Sequence, residues 1–440
     1  MKNARDVAFD ILLKIERDGA YSNLAIDTAI ESGGLDNRDN ALVSALVYGT
    51  LERLLTIDYN LSKRLRQPIK KLNAEVLTAL RIGACQLLFM DKIPKSAAVN
   101  ESVKLVKGTV FAYSAGLINA VLRRIAGEGL SLPDPNDNIV DYYSIKYSCP
   151  VWLVSLWMES YGLENAIGIM EDALKQAPFT VRVNTTKIST GELALLLKGE
   201  GVGCSPHPDV KDALVFDMKA APNKLDSYKK GLFHVQDAAS QLLCMALGAQ
   251  SGETVFDLCA APGGKSLTIA ELMNDQGIVR AFDIHESRLD LIKNGASRLG
   301  LTSVEASIGD ASVYNSRLGT ADKVLCDVPC SGLGVVRRKP EIKFKRAEDI
   351  DKLPEMQYFI LCNASRYVKH GGLLAYSTCT LNPAENEAVC ERFLKTNEQF
   401  QSVPVLPDIE NRFGKQNELT LLPHINRTDG FFIAFFVRTE

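Results

Sequence analysis

Two cysteines stand where reactive groups are expected. Cys330 lies in "DVPCSG", Asp327 to Gly332, just after the apolar run "KVLC". Cys379 lies in "YSTCTL", Tyr376 to Leu381, just after "GGLLA". Both runs have the length and composition of short buried strands. A thiolate on the turn that follows such a strand can attack an electron-poor carbon. A free cysteine has a pKa of about 8.5, so a nearby positive charge or helix N-terminus must raise its thiolate fraction. The plain alternative is that a cysteine is a small apolar core residue. That reading is expected for Cys85, Cys149, Cys204, Cys244, Cys362 and Cys390, and for Cys326 within its strand.

The elements around these thiols alternate. From Gly252 the chain runs "TVFDLCA" as strand, "KSLTIAELM" as helix, "GIVRAFD" as strand and "SRLDLIKNGASRLG" as helix. "VEASIGD", "DKVLCDVP" and "GGLLAYSTC" follow as strands, with the helix "EMQYFILCNASRYV" before the last. Such alternation specifies a parallel sheet with helices on both faces, and ligands bind at the carboxyl ends of its strands. "GFFIAFFVR" is expected as a strand at or near the sheet edge.

The first strand ends in "DLCAAPGGKS". Gly263 and Gly264 let the backbone approach a ligand, and the helix that follows can receive a carboxylate or other anion at its N-terminus. Gly264-Lys265-Ser266 fits part of a nucleotide-triphosphate loop, but Cys259 stands where that loop requires glycine. A nucleoside triphosphatase is therefore the weak reading. Asp283, about twenty residues on at the second strand's end, is placed to accept ribose hydroxyls. Asp310 ends the third strand and could hold an adenine amino group. Helix capping is the competing role for both aspartates.

Residues 1–135 read as helix after helix, expected as an all-α bundle. Gly19 is expected to stop the first helix, and Asn and Asp residues are candidate caps. A Pro/Asp/Asn-rich linker, "LSLPDPNDN", leads to a small α+β segment over 140–230, and 231–440 forms the α/β domain. The net charge is −3, and no part is strongly basic, so nucleic acid would be met by local patches. The ten cysteines include no C-x-x-C pair and the five histidines are scattered, which argues against a metal site. No apolar run reaches the roughly 18 residues needed to span a bilayer. A cytoplasmic protein with no membrane contact is expected.

The motifs "DLCAAPGGKS", "AFDIHESRL", "GDAS", "DVPCSGLGVVRRKPEIKFKR" and "YSTCTLNPAENEAVCERFL" resemble, in order, those of the RNA (cytosine-5)-methyltransferases of the Sun/NOL/NOP2 family. The resemblance runs from about Tyr143 to the C-terminus. The helical part, with "IPKSAAVNESVKLVK" and "INAVLRR", is similar to the antitermination protein NusB. Together they resemble the ribosomal RNA small-subunit methyltransferase B group. One departure is "YSCP" near Tyr147, where the family pattern has "SHP" or "SFP"; it lies outside the catalytic motifs.

The resemblance implies a Rossmann-like class I methyltransferase domain with S-adenosylmethionine as cofactor. It implies cofactor binding by Cys259, Ala260, Ala261, Pro262, Gly263, Gly264, Lys265, Asp283, Arg288, Asp310 and Asp327. Cys379 would add to C6 of a cytosine, Asp327 would meet N3, and Cys330 would serve release after methylation. The target base must leave its stack to reach the pocket. The six basic residues of "VVRRKPEIKFKR" would meet RNA phosphates. The implied substrate is 16S rRNA at cytosine 967, modified by a monomer; tRNA and large-subunit rRNA are the alternative substrates. A non-catalytic RNA-binding or antitermination protein would not need both cysteines and the loop. An amino-methyltransferase would carry Pro-Pro-aromatic where Val328-Pro329-Cys330 stands.

Overall fold

The computed structural model describes residues 2–18, 25–26, 28–29, 34–217, 222–405 and 417–439. The chain forms two compact units, Met1–Gln176 with Val336–Lys345, and Ala177–Val335 with Arg346–Glu440.

The first unit is helical. Its helices among the described residues include Ala4–Asp18, Asn37–Glu52, Leu54–Ser62, Ala74–Phe89, Lys95–Lys107, Ala115–Glu128, Ile139–Tyr147 and Val151–Asp172. Apolar residues at helical spacing bury one face of most of those before Gly129, and Ala8, Leu46, Val47, Ile57, Leu80, Ile82, Ile118 and Leu122 meet in one core. Asp36 caps its helix by accepting from the Asp39 N–H, whereas the expected cap Asn73 makes no such bond. The stretch "DNRDNALVSALVYGTLERLL" forms two helices that meet at Arg53. The longest helix kinks at Gly162, whose φ of 77° leaves the helical region. Gly19, the expected stop, lies outside the described residues.

Part of the basic stretch next to Cys330 in sequence belongs to this helical unit. Lys343 is buried, its Nζ donates to the Glu52 carbonyl at 2.8 Å, and burial pushes its pKa down to about 8. Arg337 is buried and pairs with Asp172 at 2.9 Å. The expectation that all six basic residues meet RNA phosphates is therefore corrected. Two of them neutralise or satisfy buried groups, a role composition does not reveal.

The second unit holds two sheets. The smaller is antiparallel, in the order β2 (Cys204–Pro206), β3 (Ala213–Phe216), β1 (Phe179–Val183), β4 (Phe233–Val235). The helix Thr190–Gly199 packs on it and opens with a capping box between Ser189 and Glu192. The larger sheet contains β5 (Thr254–Asp257), β6 (Ile278–Asp283), β7 (Val304–Ile308), β8 (Ala321–Asp327), β9 (Val368–Thr378), β10 (Phe400–Val403), β11 (Glu418–Leu421) and β12 (Phe431–Arg438). Its order is β10-β12-β9-β8-β5-β6-β7, with β11 also paired to β12.

Strands β5 to β9 are mutually parallel, as the alternation of elements required. The order reverses between β5 and β8, so the crevice forms outside their carboxyl ends. Strand β12 is antiparallel to β9 and lies near the edge, flanked outside by β10 and β11. Apolar helices cover both faces. Leu242, Leu243, Leu267 and Ile269 pack on one, and Ile360, Leu361, Ala364 and Phe393 on the other.

Candidate active site

Strands β8 and β9 run side by side with Asp327 opposite Ser377, so the turns that follow emerge together. Cys330 and Cys379 sit on those turns with their sulfurs 3.3 Å apart. The turns are locked at backbone level. The Gly334 N–H donates to the Cys379 carbonyl at 2.9 Å, and the Gly430 N–H donates to the Gly334 carbonyl at 2.8 Å. A Cβ on Gly334 would fall 2.0 Å from the Gly430 oxygen, so no side chain fits there.

The two thiols are electrostatically unequal. The hydrogen bond from Cys330 holds the Cys379 pKa below its ordinary value, against the opposing effects of burial and the Asp327 carboxylate, the latter partly offset by the Lys265 ammonium. The same hydrogen bond, reinforced by burial, pushes the Cys330 thiol well up. Cys379 is thus the sulfur poised as thiolate and Cys330 the one that keeps its proton.

Lys265 lies in the first turn of the helix Gly264–Leu272 that follows β5. Its Nζ lies 2.6 Å from Asp327 Oδ2, and Ser377 Oγ donates to Asp327 Oδ1 at 2.8 Å. Burial works against the Lys265 ammonium, but the Asp327 carboxylate outweighs it and holds the lysine pKa above its usual value. Sequence reasoning put Lys265 in a cofactor loop and did not anticipate this pair. Glu385 and Asn386, both fully buried beside the thiol turns, were also missed. They stand in "NPAENE", a polar run that reads as a solvated turn.

The turn Cys259–Lys265 carries the backbone around the β5 end into the helix Gly264–Leu272. Gly263 has φ 106°, and a Cβ there would meet Ile292 at 3.1 Å. Asp283 ends β6, is nearly buried, and accepts from the His285 N–H at 2.9 Å and the Ala261 N–H at 3.3 Å. Each carboxylate oxygen is thus used once and keeps acceptor capacity for a hydroxyl. Asp310, after β7, is exposed and uses Oδ1 to accept from the Ser312 N–H and hydroxyl. Arg288 is exposed in the first turn of the helix Glu286–Leu299. Acceptors at successive strand ends, beside an open backbone turn, fit a nucleoside with free hydroxyls.

Of the cysteines read as core, Cys85, Cys149, Cys244, Cys326 and Cys390 are buried, whereas Cys204 and Cys362 are only half-buried. No cluster of metal-ligating side chains occurs among the described residues. No helix among them is long and apolar enough to cross a membrane.

Comparison with known proteins agrees with this layout. The family model described as 16S rRNA methyltransferase RsmB/F matches residues 244–437, the NusB family matches 2–127, and the ferredoxin-like domain of RsmF/B-like methyltransferases matches 149–221. A Bacillus subtilis protein described as "Probable ribosomal RNA small subunit methyltransferase B" is 37% identical over 439 residues, covering 98% of each chain. The chain belongs to the RsmB/F methyltransferase family. The ribosomal RNA small subunit methyltransferase B of Vibrio cholerae is 34% identical, covering 98% of this chain and 96% of the relative. The crystal structure of PH0851 superposes with a TM-score of 0.83 at 26% identity, covering 99% of each chain. As an RsmB/F member the chain is an S-adenosylmethionine-dependent RNA methyltransferase, and ribosomal RNA is its substrate class.

Proposed function

We propose that the enzyme methylates C5 of a cytosine in 16S rRNA, at position 967, through a covalent adduct between Cys379 and C6. The observation that carries this reading is the 3.3 Å contact of two unlike thiols beside an Asp327 carboxylate. A single nucleophile would explain one cysteine. A thiolate and a protonated thiol at one point suit a reaction that must first attack and later release.

Cytosine C5 is too weakly nucleophilic to take a methyl group unaided. The Cys379 thiolate adds to C6, forming the S–C6 bond and pushing an electron pair toward C5. N3 takes a proton from solvent as the ring gains that electron pair, the Asp327 carboxylate accepts the resulting N3–H, and the proton is given back on release. S-adenosylmethionine, when bound, supplies an electrophilic methyl group. A base then removes the C5 proton, the S–C6 bond breaks, and its electron pair returns to Cys379. Cys330 serves this release. The turn Cys259–Lys265 with Asp283, Arg288, Asp310 and Asp327 holds the cofactor. Lys265 stays charged beside Asp327 and links the cofactor turn to the base site.

Three functional divisions go with this reading: a NusB-like RNA-binding part at 1–135, a linking part at 140–230 and the catalytic part at 231–440. The enzyme acts as a cytoplasmic monomer. The test is bisulfite sequencing of 16S rRNA from a deletion strain, alongside methyl transfer from labelled cofactor in vitro. Loss of a single 5-methylcytosine at position 967 is expected. An unchanged 16S profile with a lost methyl in tRNA or large-subunit rRNA would overturn the assignment.

A further inference from the structure

The turn Pro383–Glu385 and the residue after it carry a buried polar cluster that the reaction above does not use. Glu385 has no exposed surface. Its Oε2 accepts from the Ser331 N–H at 2.8 Å and from Gln357 Nε2 at 2.9 Å. Its Oε1 accepts from Asn382 Nδ2 at 3.0 Å and from the Ser331 hydroxyl. Gln357 Nε2 also donates to the Pro329 carbonyl at 2.9 Å. The peptides on both sides of Cys330 are therefore fixed from one carboxylate, directly through Ser331 and by way of Gln357 through Pro329.

Asn386 does the same for the other thiol. Its Oδ1 accepts from the Thr378 hydroxyl at 2.6 Å, and its Nδ2 donates to the Thr380 carbonyl at 3.0 Å. Thr378 and Thr380 are the neighbours of Cys379. A further bond joins the two turns, between the Ser331 and Thr380 hydroxyls at 2.6 Å. The supporting turn is itself fixed, because the Tyr376 hydroxyl donates to the Glu385 carbonyl at 2.6 Å.

This is an expensive way to pack a turn. All four of those donors to the buried carboxylate are neutral, and apolar residues of similar volume often stabilise a fold as well or better. What the cluster supplies is fixed geometry, since each bond is directional and a fully satisfied network rigidifies its surroundings. We propose that Glu385 and Asn386 are positioning residues that set the separation of the two thiols, Glu385 by holding Cys330 and Asn386 by holding Cys379. Neither touches the reacting atoms. Their consequence for catalysis rests on the roles proposed above for the two cysteines, but the separation itself does not.

The experiment therefore reads both. Diamide takes two electrons and two protons from a thiol pair, leaving a disulfide and a hydrazine. The rate at which it bridges Cys330 and Cys379, followed by mass spectrometry of that peptide pair, depends on thiol placement without RNA or cofactor. Glu385→Gln keeps the shape but turns an amide N–H toward donors, and Asn386→Ala removes both bonds. Each is expected to slow bridging roughly tenfold, because a displacement of about 1 Å has effects of that order or larger. Ser331→Ala, a milder change, is expected to slow it roughly threefold and serves if the others do not fold.

With RNA and labelled cofactor in a single turnover, Glu385→Gln is expected to raise the ratio of covalent adduct to released product. Asn386→Ala is expected to slow adduct formation without raising that ratio. Bridging at the parent rate in folded variants, Ser331→Ala included, would overturn the proposal, even if melting temperature fell. Slowed bridging without any adduct in Cys330→Ala controls would support the positioning role and refute the reaction chemistry on which its catalytic meaning rests.

Discussion

Lys265 and Asp327 form an ion pair at 2.6 Å between the first turn of the helix Gly264–Leu272 and the last residue of β8. The Lys265 ammonium favours the Cys379 thiolate alongside the Cys330 hydrogen bond, while burial and the Asp327 carboxylate oppose it. Removing either support must move the Cys379 pKa up. Rates of iodoacetamide alkylation at Cys379, measured against pH, should show this. Cys330→Ala, which deletes the stronger support, is expected to shift the midpoint to higher pH, and Lys265→Met to shift it in the same direction by less. At a fixed pH below the midpoint, both variants then react more slowly. A midpoint that moves down in either would contradict the assigned polarity.

Cofactor affinity should depend on Asp283. Its side chain holds the turn after β5 through Ala261 and keeps acceptor capacity for hydroxyls. Asp283→Ala is expected to cost roughly 1–3 kcal/mol of binding, since it leaves polar donors unpaired. Titration calorimetry with S-adenosylmethionine checks this. An unchanged dissociation constant removes Asp283 from the site.

A stability effect should come from Asp257 at the end of β5. Burial pushes its carboxyl up to about 6, opposed by the Ser266 hydroxyl that donates to Oδ2 at 2.6 Å. A carboxyl raised on folding contributes stability that is complete below its unfolded pKa and lost as pH rises through its folded pKa. Asp257→Asn cannot ionise and keeps an acceptor for Ser266. Its denaturation midpoint is expected to vary less than the parent's between about pH 4 and pH 6. At pH 7 it should gain up to about 3 kcal/mol over the parent. Parallel curves for the two proteins would rule out this cost.

Much of this was legible from local pattern. The alternation after Gly252 specified the parallel core, and a parallel core puts turn residues such as Cys330 and Cys379 at one crevice. What escaped depends on tertiary contact. Strands β2, β4, β10 and β11 have three or four residues each, too few to show a period. The helix Ala238–Leu247 is not among the expected elements, although Asp237 caps it and Gly248 ends it in the left-handed region. Lys343 and Glu385 are charged residues that the fold buries, and only their partners explain why. Nothing in "KFKR" or "NPAENE" distinguishes such residues from solvated ones.

The proposed division of labour between Cys379 and Cys330 is tested most directly by trapping on denaturing gels. Each variant is incubated with 16S rRNA transcript and S-adenosylmethionine labelled in the methyl group. Cys379→Ala should form no covalent complex and transfer no label, because the S–C6 bond cannot form. Cys330→Ala should attack and methylate but release slowly, giving a retarded band that carries both protein and label. The double variant should give no band, since attack precedes release. If both cysteines only pack, the two single variants would lose modest stability and neither would form an adduct. A labelled band with Cys379→Ala and none with Cys330→Ala would contradict the account and exchange the two roles.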